Sequence, residues 1–205
     1  KQRGLVIGGG VAGMNAALSL AHQGFEAVIV EKERELGGLA RQIPQTIEGW
    51  DVQKYLNDLI VEVQENDKIE VLTQALVVGS SGYKGNFTTE LLVGPGMYER
   101  KIDHGATIVA TGAVEYQPKE FLYGEDSRVM TQLGLSQLLH ENGDQVEKWK
   151  RVVMVQCIGS RNEENPNCSR ICCQNAVKNS LALKKRNPDL DVYVLYRDMR
   201  TYGLL

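Results

Sequence analysis

Apolar positions in the first thirty residues fall into three short runs of different character. Residues 4–7 (GLVI) form an uninterrupted apolar stretch, as expected of a strand buried on both faces. Residues 11–23 place Ala, Leu and Met at helical spacing and stop at Gly24, and residues 26–30 read as a second buried strand. Strand, helix and strand in this order predict a βαβ unit on a parallel sheet. After Asp51, a suitable N-cap, Val52, Tyr55, Leu56, Leu59, Ile60 and Val63 recur at helical spacing and predict a helix lying along that sheet. Residues 69–72 read as a third strand. The stretches 75–78, 87–93 and 97–102 then read as an antiparallel meander broken by SSGYKGN and VGPG, and residues 106–110 (ATIVA) return as a buried strand.

The pattern then repeats. A helix near 131–140 breaks at Asn142-Gly143, a strand follows at 151–156, a helix runs from about 169 to 186 and stops at Asn187-Pro188, and residues 191–196 are a further parallel strand. The predicted fold class is therefore α/β, with two Rossmann-like halves: a first domain at 1–115 with parallel sheet and meander, a linker at 116–124 around Pro118, and a second domain at 125–205. Only two strands of the second sheet fall within the chain, which also begins at Lys1. The expectation is a truncated piece of a larger polypeptide.

Composition narrows the function classes. With 205 residues, 42% of them hydrophobic, and a formal net charge of −3, the chain can bury a core and carries no basic stripe for nucleic acid. No apolar run reaches the roughly 20 residues that span a bilayer. A secretory reading of the opening residues fails on the GGG at 8–10, so a cytoplasmic location is expected.

Two places carry chemistry. Gly8, Gly10 and Gly13 form GxGxxG between a predicted strand and the helix it opens. There they allow a tight turn, approach of backbone to a diphosphate and close helix packing, while the helix N-terminus supplies N–H donors. Glu31, at the end of the next strand, stands where a ribose would be held and would repel a 2′-phosphate. This pattern alone does not separate NAD from FAD. The second place is Cys157, Cys168, Cys172 and Cys173, all the cysteines of the chain, at a strand end and the following helix start. A vicinal pair suits separate irons of a cubane better than one tetrahedral ion, so an iron–sulfur cluster leads, with zinc and free or disulfide-bonded thiols as alternatives. The helix start, with Arg161 and Arg170 nearby, is expected to lower the cysteine pKa values and favour an anionic cluster.

Glu35-Leu36-Gly37-Gly38 and Ala110-Thr111-Gly112 resemble the matching segments of the flavin domain in thioredoxin-reductase-like flavoproteins with two dinucleotide folds. That resemblance implies FAD, with Gly8, Gly10, Val11, Ala12, Gly13, Glu31, Lys32, Gly38, Leu39, Ala75, Ala110, Thr111 and Gly112 as its binding residues. The C-terminal Gly-Asp segment that returns to the flavin in such proteins is not among these residues. CIGSRN, CSRICC and VYVLYRDMRTYG, with EGWDVQKYLNDLI and SGYKGNF, resemble the A-type subunits of heterodisulfide reductase and their relatives in the quinone-interacting oxidoreductase complex. The resemblance covers nearly the whole chain. It implies a four-iron four-sulfur (4Fe-4S) cluster on the four cysteines, electron relay between FAD and cluster, and other redox subunits or a second copy of the chain as partners. Two departures stand beside it: LARQIPQTIEGW holds no Cys, and no CxxCxxCxxxC run occurs.

Two other functions compete. A conventional NAD(P)H-dependent flavoprotein reductase would need the second glycine fingerprint, which the cysteine segment replaces, and dithiol chemistry would need a CxxC. A zinc-stabilised scaffold would need zinc. His22, His104 and His140 have no nucleophile or carboxylate in register and read as solvated or capping residues, and no catalytic acid or base is assigned.

Overall fold

The computed structural model describes residues 1–141 and 143–201. Contacts divide the chain into two units, Lys1–Arg41 with Val52–Val114, and Gln42–Asp51 with Glu115–Leu205. The change at 114/115 falls beside the expected linker. Residues 42–51, expected in the first domain, group instead with the second unit, where Lys178 Nζ donates to Gln45 O at 3.3 Å.

In the first unit, β1 (Arg3–Ile7), α1 (Val11–His22) and β2 (Glu26–Val30) form the anticipated βαβ element. With β3 (Ile69–Leu72) and β7 (Ala106–Val109) they make a parallel sheet in the order β3-β2-β1-β7. Alternation along the strands sends Val6 and Ile29 to one face, against Met14, Ala17 and Leu18 of α1 and Leu56, Leu59 and Val63 of α2 (Val52–Gln64). Leu5, Val28 and Val30 go to the other face, against Ala75, Leu91 and Ile102 of the meander. The strands read as unbroken apolar runs because both faces are covered. Strand β7 departs from its expected burial: paired with β1 alone, it is the edge of this sheet, and Val109 is 71% exposed.

The meander is β4 (Ala75–Tyr83), β5 (Asn86–Val93) and β6 (Tyr98–His104). Strand β4 continues five residues past the expected break at Val78, because Ser80, Ser81 and Gly82 pair with Thr89, Thr88 and Phe87 around a turn at Lys84-Gly85. His104 is fully buried, contrary to the solvated role expected of it. Its ring stacks on Phe87 at 5.6 Å, Nδ1 donates to Ala106 O at 3.1 Å, and Nε2 shares a hydrogen bond with Thr89 Oγ1 at 2.8 Å. His104→Ala should therefore cost about 3 kcal/mol in urea denaturation, from lost packing and two stranded partners. A solvated ring would cost almost nothing.

In the second unit, β8 (Arg151–Val155) and β9 (Asp191–Leu195) are parallel, joined by α4 (Cys172–Arg186), with α3 (Gln132–Glu141) packed on α4. Leu135, Leu139, Val146, Met154, Ala176, Leu183 and Leu190 form the core. Asn179, buried in it, is fully paired: Oδ1 accepts from Ser136 Oγ at 2.8 Å and Nδ2 donates to Gln132 O at 2.8 Å, tying α3 to α4. Helix α4 begins three residues later than expected. Arg170, at φ 64°, sits in the left-handed region and cannot belong to the helix.

Candidate functional site

The first site is the loop from β1 to α1. Gly8 turns at φ 111° and its N–H donates to Val30 O at 2.8 Å. A Cβ there would stand 2.2 Å from Ala110 O, and one on Gly13 would stand 1.9 Å from Gly8 O. Both glycines therefore serve backbone-to-backbone packing. Gly10 is different: a Cβ on it would meet nothing within 4 Å. As the N-cap of α1 it has no side chain to cap the helix, which leaves the N–H groups of Val11, Ala12 and Gly13 directed at that open space.

Glu31 is 6% exposed, yet among the described residues no cation neutralises it at hydrogen-bond distance; its carboxylate accepts from Gly9 N–H at 2.6 Å and from Glu33 N–H at 2.9 Å. The acid thus braces the glycine loop as well as facing the expected ribose. Ala75 N–H donates to Glu31 O at 2.9 Å, which sets the start of β4 beside the acid. Gly37 N–H donates to Gly9 O at 2.8 Å, and Gly38, at φ 53°, comes against Gly10. Ala110 N–H donates to Ile7 O at 2.8 Å, placing Thr111 beside Gly8; Gly112 follows at φ 67°. Leu39 is half-buried in the 3-10 turn Gly38–Gln42, while Lys32 points outward to Glu33 at 3.6 Å. One contributor escaped sequence reasoning, Gly9, and Leu36 of the resembling segment packs against it. A Cβ on Gly9 would stand 2.5 Å from Leu36 and 3.0 Å from Glu31, and the third glycine of the GGG run was the available signal.

The second site is the loop from β8 to α4. Cys157 turns at φ 65° and Arg161 at φ 56°, so with Arg170 three non-glycine residues of this loop are left-handed. Ser160 N–H closes a turn on Cys157 O at 3.3 Å, and Gly159, at φ 67°, lies under the Tyr116 ring. Arg161 pairs with Asp198, which also accepts from Arg200 Nε at 2.9 Å, and Arg197 Nη1 donates to Arg161 O at 2.6 Å. Arg200 and Arg161 hold the Asp198 carboxyl below the usual carboxylate range. The segment after β9 therefore ties down the cysteine loop. Sequence reasoning gave it no chemistry, since charged residues after a strand usually face water.

Cys172 and Cys173 occupy the first turn of α4, and Cys168 lies in the loop before it. Sulfur is met by donors: Arg170 N–H reaches Cys168 Sγ at 3.4 Å, and Ser169 Oγ reaches Cys172 Sγ at 3.6 Å. Burial first, and then Cys172 and Cys157, push the Cys173 thiol up against the pull of a backbone hydrogen bond from Arg200. The expected lowering is therefore reversed at Cys173, because burial outweighs the donors around it. Arg161 lies beside Cys157, but its first partner is Asp198. All four thiols are free, and among the described residues no three His, Cys, Asp or Glu side chains are arranged to hold a metal ion. The donor set, four cysteines with N–H and O–H groups directed at Cys168, Cys172 and Cys173, fits an iron–sulfur cluster in chemistry. No helix among the described residues is long and apolar enough to cross a membrane.

The solved L-proline dehydrogenase of P. horikoshii shares the fold at TM-score 0.53 and 19% identity, over 98% of this chain and 37% of its own. The A-type subunit of the H(2):CoB-CoM heterodisulfide,ferredoxin reductase of Methanothermobacter marburgensis is 30% identical over 98% of this chain. The second of two A-type iron-sulfur subunits of the CoB–CoM heterodisulfide reductase of Methanopyrus kandleri is 28% identical over the same share. The chain spans 44% of the length of each of these two relatives. The first alignment runs over 290 positions, so that relative carries roughly ninety residues within it that have no counterpart in this chain. The family model for pyridine nucleotide-disulphide oxidoreductases matches residues 3–155, from β1 through β8, and the chain belongs to that family of FAD-binding oxidoreductases.

Proposed function

We propose that the first unit holds FAD, that Cys157, Cys168, Cys172 and Cys173 of the second hold a 4Fe-4S cluster, and that the chain relays electrons between the two within a larger redox complex. One observation carries the reading. At the loop where a second dinucleotide fold would present its glycine fingerprint, this chain presents four thiols, on a backbone held left-handed at three non-glycine residues. Such conformations cost about 1 kcal/mol each and persist where the surroundings impose them, most often at functional sites. The name of the M. kandleri relative, which calls it an iron-sulfur protein, supports the same assignment.

When bound, the flavin supplies a two-electron couple and the cluster a one-electron couple. The chain binds and orients. The N–H groups of Val11, Ala12 and Gly13 receive the diphosphate, and the remaining lone pairs of Glu31 receive the ribose hydroxyls. Gly38, Leu39, Ala75 and the Ala110-Thr111-Gly112 turn border the cofactor, and of Lys32, whose side chain turns out to Glu33, only the backbone does. Arg170 N–H and the Ser169 hydroxyl stabilise thiolate charge on Cys168 and Cys172. The electron donor and acceptor are other redox subunits, and no residue of this chain transfers a proton.

Anaerobic reconstitution with ferrous iron, sulfide and FAD tests the reading. The expected product holds one flavin and about four irons and four sulfides per chain, with an EPR signal on reduction by dithionite. One zinc per chain without sulfide would establish the scaffold instead. Rapid NADH oxidation by the iron-free flavoprotein would establish the conventional reductase.

A further inference from the structure

Gln156, the residue before Cys157, is 7% exposed, and among the described residues neither its amide nitrogen nor its amide oxygen has a hydrogen-bond partner. A buried amide left this way is costly, and native proteins retain one where a bound group completes it. Its position indicates which group. Gln156 N–H donates to Leu195 O at 2.9 Å, so strand geometry continues through it, and its side chain falls on the same face as that of Met154, two residues earlier. That face is covered by α4, whose Ser180 Oγ lies 3.6 Å from Met154 Sδ.

The helix between two parallel strands runs back against them. Moving about 6.6 Å along the strand from Met154 to Gln156 therefore moves slightly more than one turn, about 5.4 Å each, toward the start of α4. Gln156 thus stands level with about Asn175–Ala176, one turn from the vicinal cysteines. Cys173 and Ala176 share the buried face of α4.

Resting on the four-cysteine reading above, we propose that the Gln156 amide N–H is a hydrogen-bond donor to a sulfide of the bound cluster, and that it sets the cluster's reduction potential. An N–H directed at sulfur favours the more negative, reduced form, so its loss lowers the potential. Gln156 is a positioning residue and takes no part in ligation.

The experiment uses the reconstituted parent with Gln156→Leu and Gln156→Met. Both variants should keep the parent's iron content. Their EPR-monitored redox titrations should shift the oxidised-to-reduced ratio about tenfold, or about 59 mV for a one-electron couple, toward lower potential. In parent protein labelled with 15N at glutamine side chains, the reduced cluster should couple to an amide nitrogen, and Gln156→Met should abolish that coupling. The iron-free variants should melt no lower than the parent, because an orphaned amide has been removed.

Parent and variants that load iron equally and titrate together would overturn the role of Gln156 while leaving the cluster in place. Lack of coupling in an iron-loaded parent would do the same. A lower melting temperature in both iron-free variants would show that the amide already has a partner, and would also overturn it. A parent that takes up no iron would remove the cluster reading itself and this role with it.

Discussion

Alanine at Gly10 is expected to leave the first unit folded and to weaken FAD binding about fivefold or more, whereas alanine at Gly13, three residues on, is expected to compromise the fold itself. At Gly10 the new Cβ meets nothing, and φ is −76°, open to any residue. The apo protein then loses at most about 1 kcal/mol, the difference between glycine and alanine as N-caps. The methyl group does occupy the space the diphosphate must enter. Overpacking of about 1–3 kcal/mol corresponds to about five- to 150-fold in Kd. At Gly13 the Cβ would sit 1.9 Å from Gly8 O, a backbone atom held in turn by Gly8 against Ala110. Neither side can yield without moving β1 from α1, so the expected loss exceeds about 3 kcal/mol. Urea denaturation of both apo variants and flavin fluorescence titration of Gly10→Ala check the pair. Equal FAD affinity in Gly10→Ala and parent would show that the diphosphate lies elsewhere.

The contrast between these glycines also marks what the sequence could reveal. The βαβ element was legible because period, glycine spacing and the closing acid all agree on residues 4–31, and agreement across levels is what makes a local signal specific. Where one level is silent, the reading slips. Nothing in the letters SSGY distinguishes a loop from a strand; only pairing with Phe87, Thr88 and Thr89 makes it part of β4. ATIVA has the composition of a buried strand, but its burial depends on neighbours, and here β1 alone flanks it. The start of α4 was misplaced because Arg170 is left-handed, a conformation that sequence signals for Gly or Asn and not for Arg. The four cysteines were visible by clustering, while the parts that shape their loop were not. Asp198, Arg200 and Tyr116 come from distant segments, and the buried state of Gln156 depends on which face of β8 the helix covers. Sequence thus located both candidate sites and left their supporting contacts to the fold.

Replacing Glu31 should therefore do more than remove a ligand contact. Its two oxygens each accept a backbone N–H, from Gly9 and from Glu33, at 6% exposure, with the N-terminus of α1 as nearby positive dipole. Hydrogen bonds to an ionised acceptor contribute about 1.5–3 kcal/mol each, so Glu31→Ala, which strands both donors, is expected to cost about 3–5 kcal/mol before any cofactor is considered. Glu31→Gln keeps the shape but turns an NH2 group toward one of the two N–H donors. One bond survives and one becomes a donor–donor contact, for an expected cost of about 2–3 kcal/mol. Loss of the ribose contact adds to this in the flavin-bound protein. Denaturation with and without saturating FAD separates the effects, since FAD stabilises the parent in proportion to the logarithm of its concentration over Kd. The expected result is a fall in apo stability and, in addition, a smaller gain on adding FAD. A variant that lost only the FAD-dependent gain would make Glu31 a ligand contact alone and leave the glycine loop braced by its own backbone.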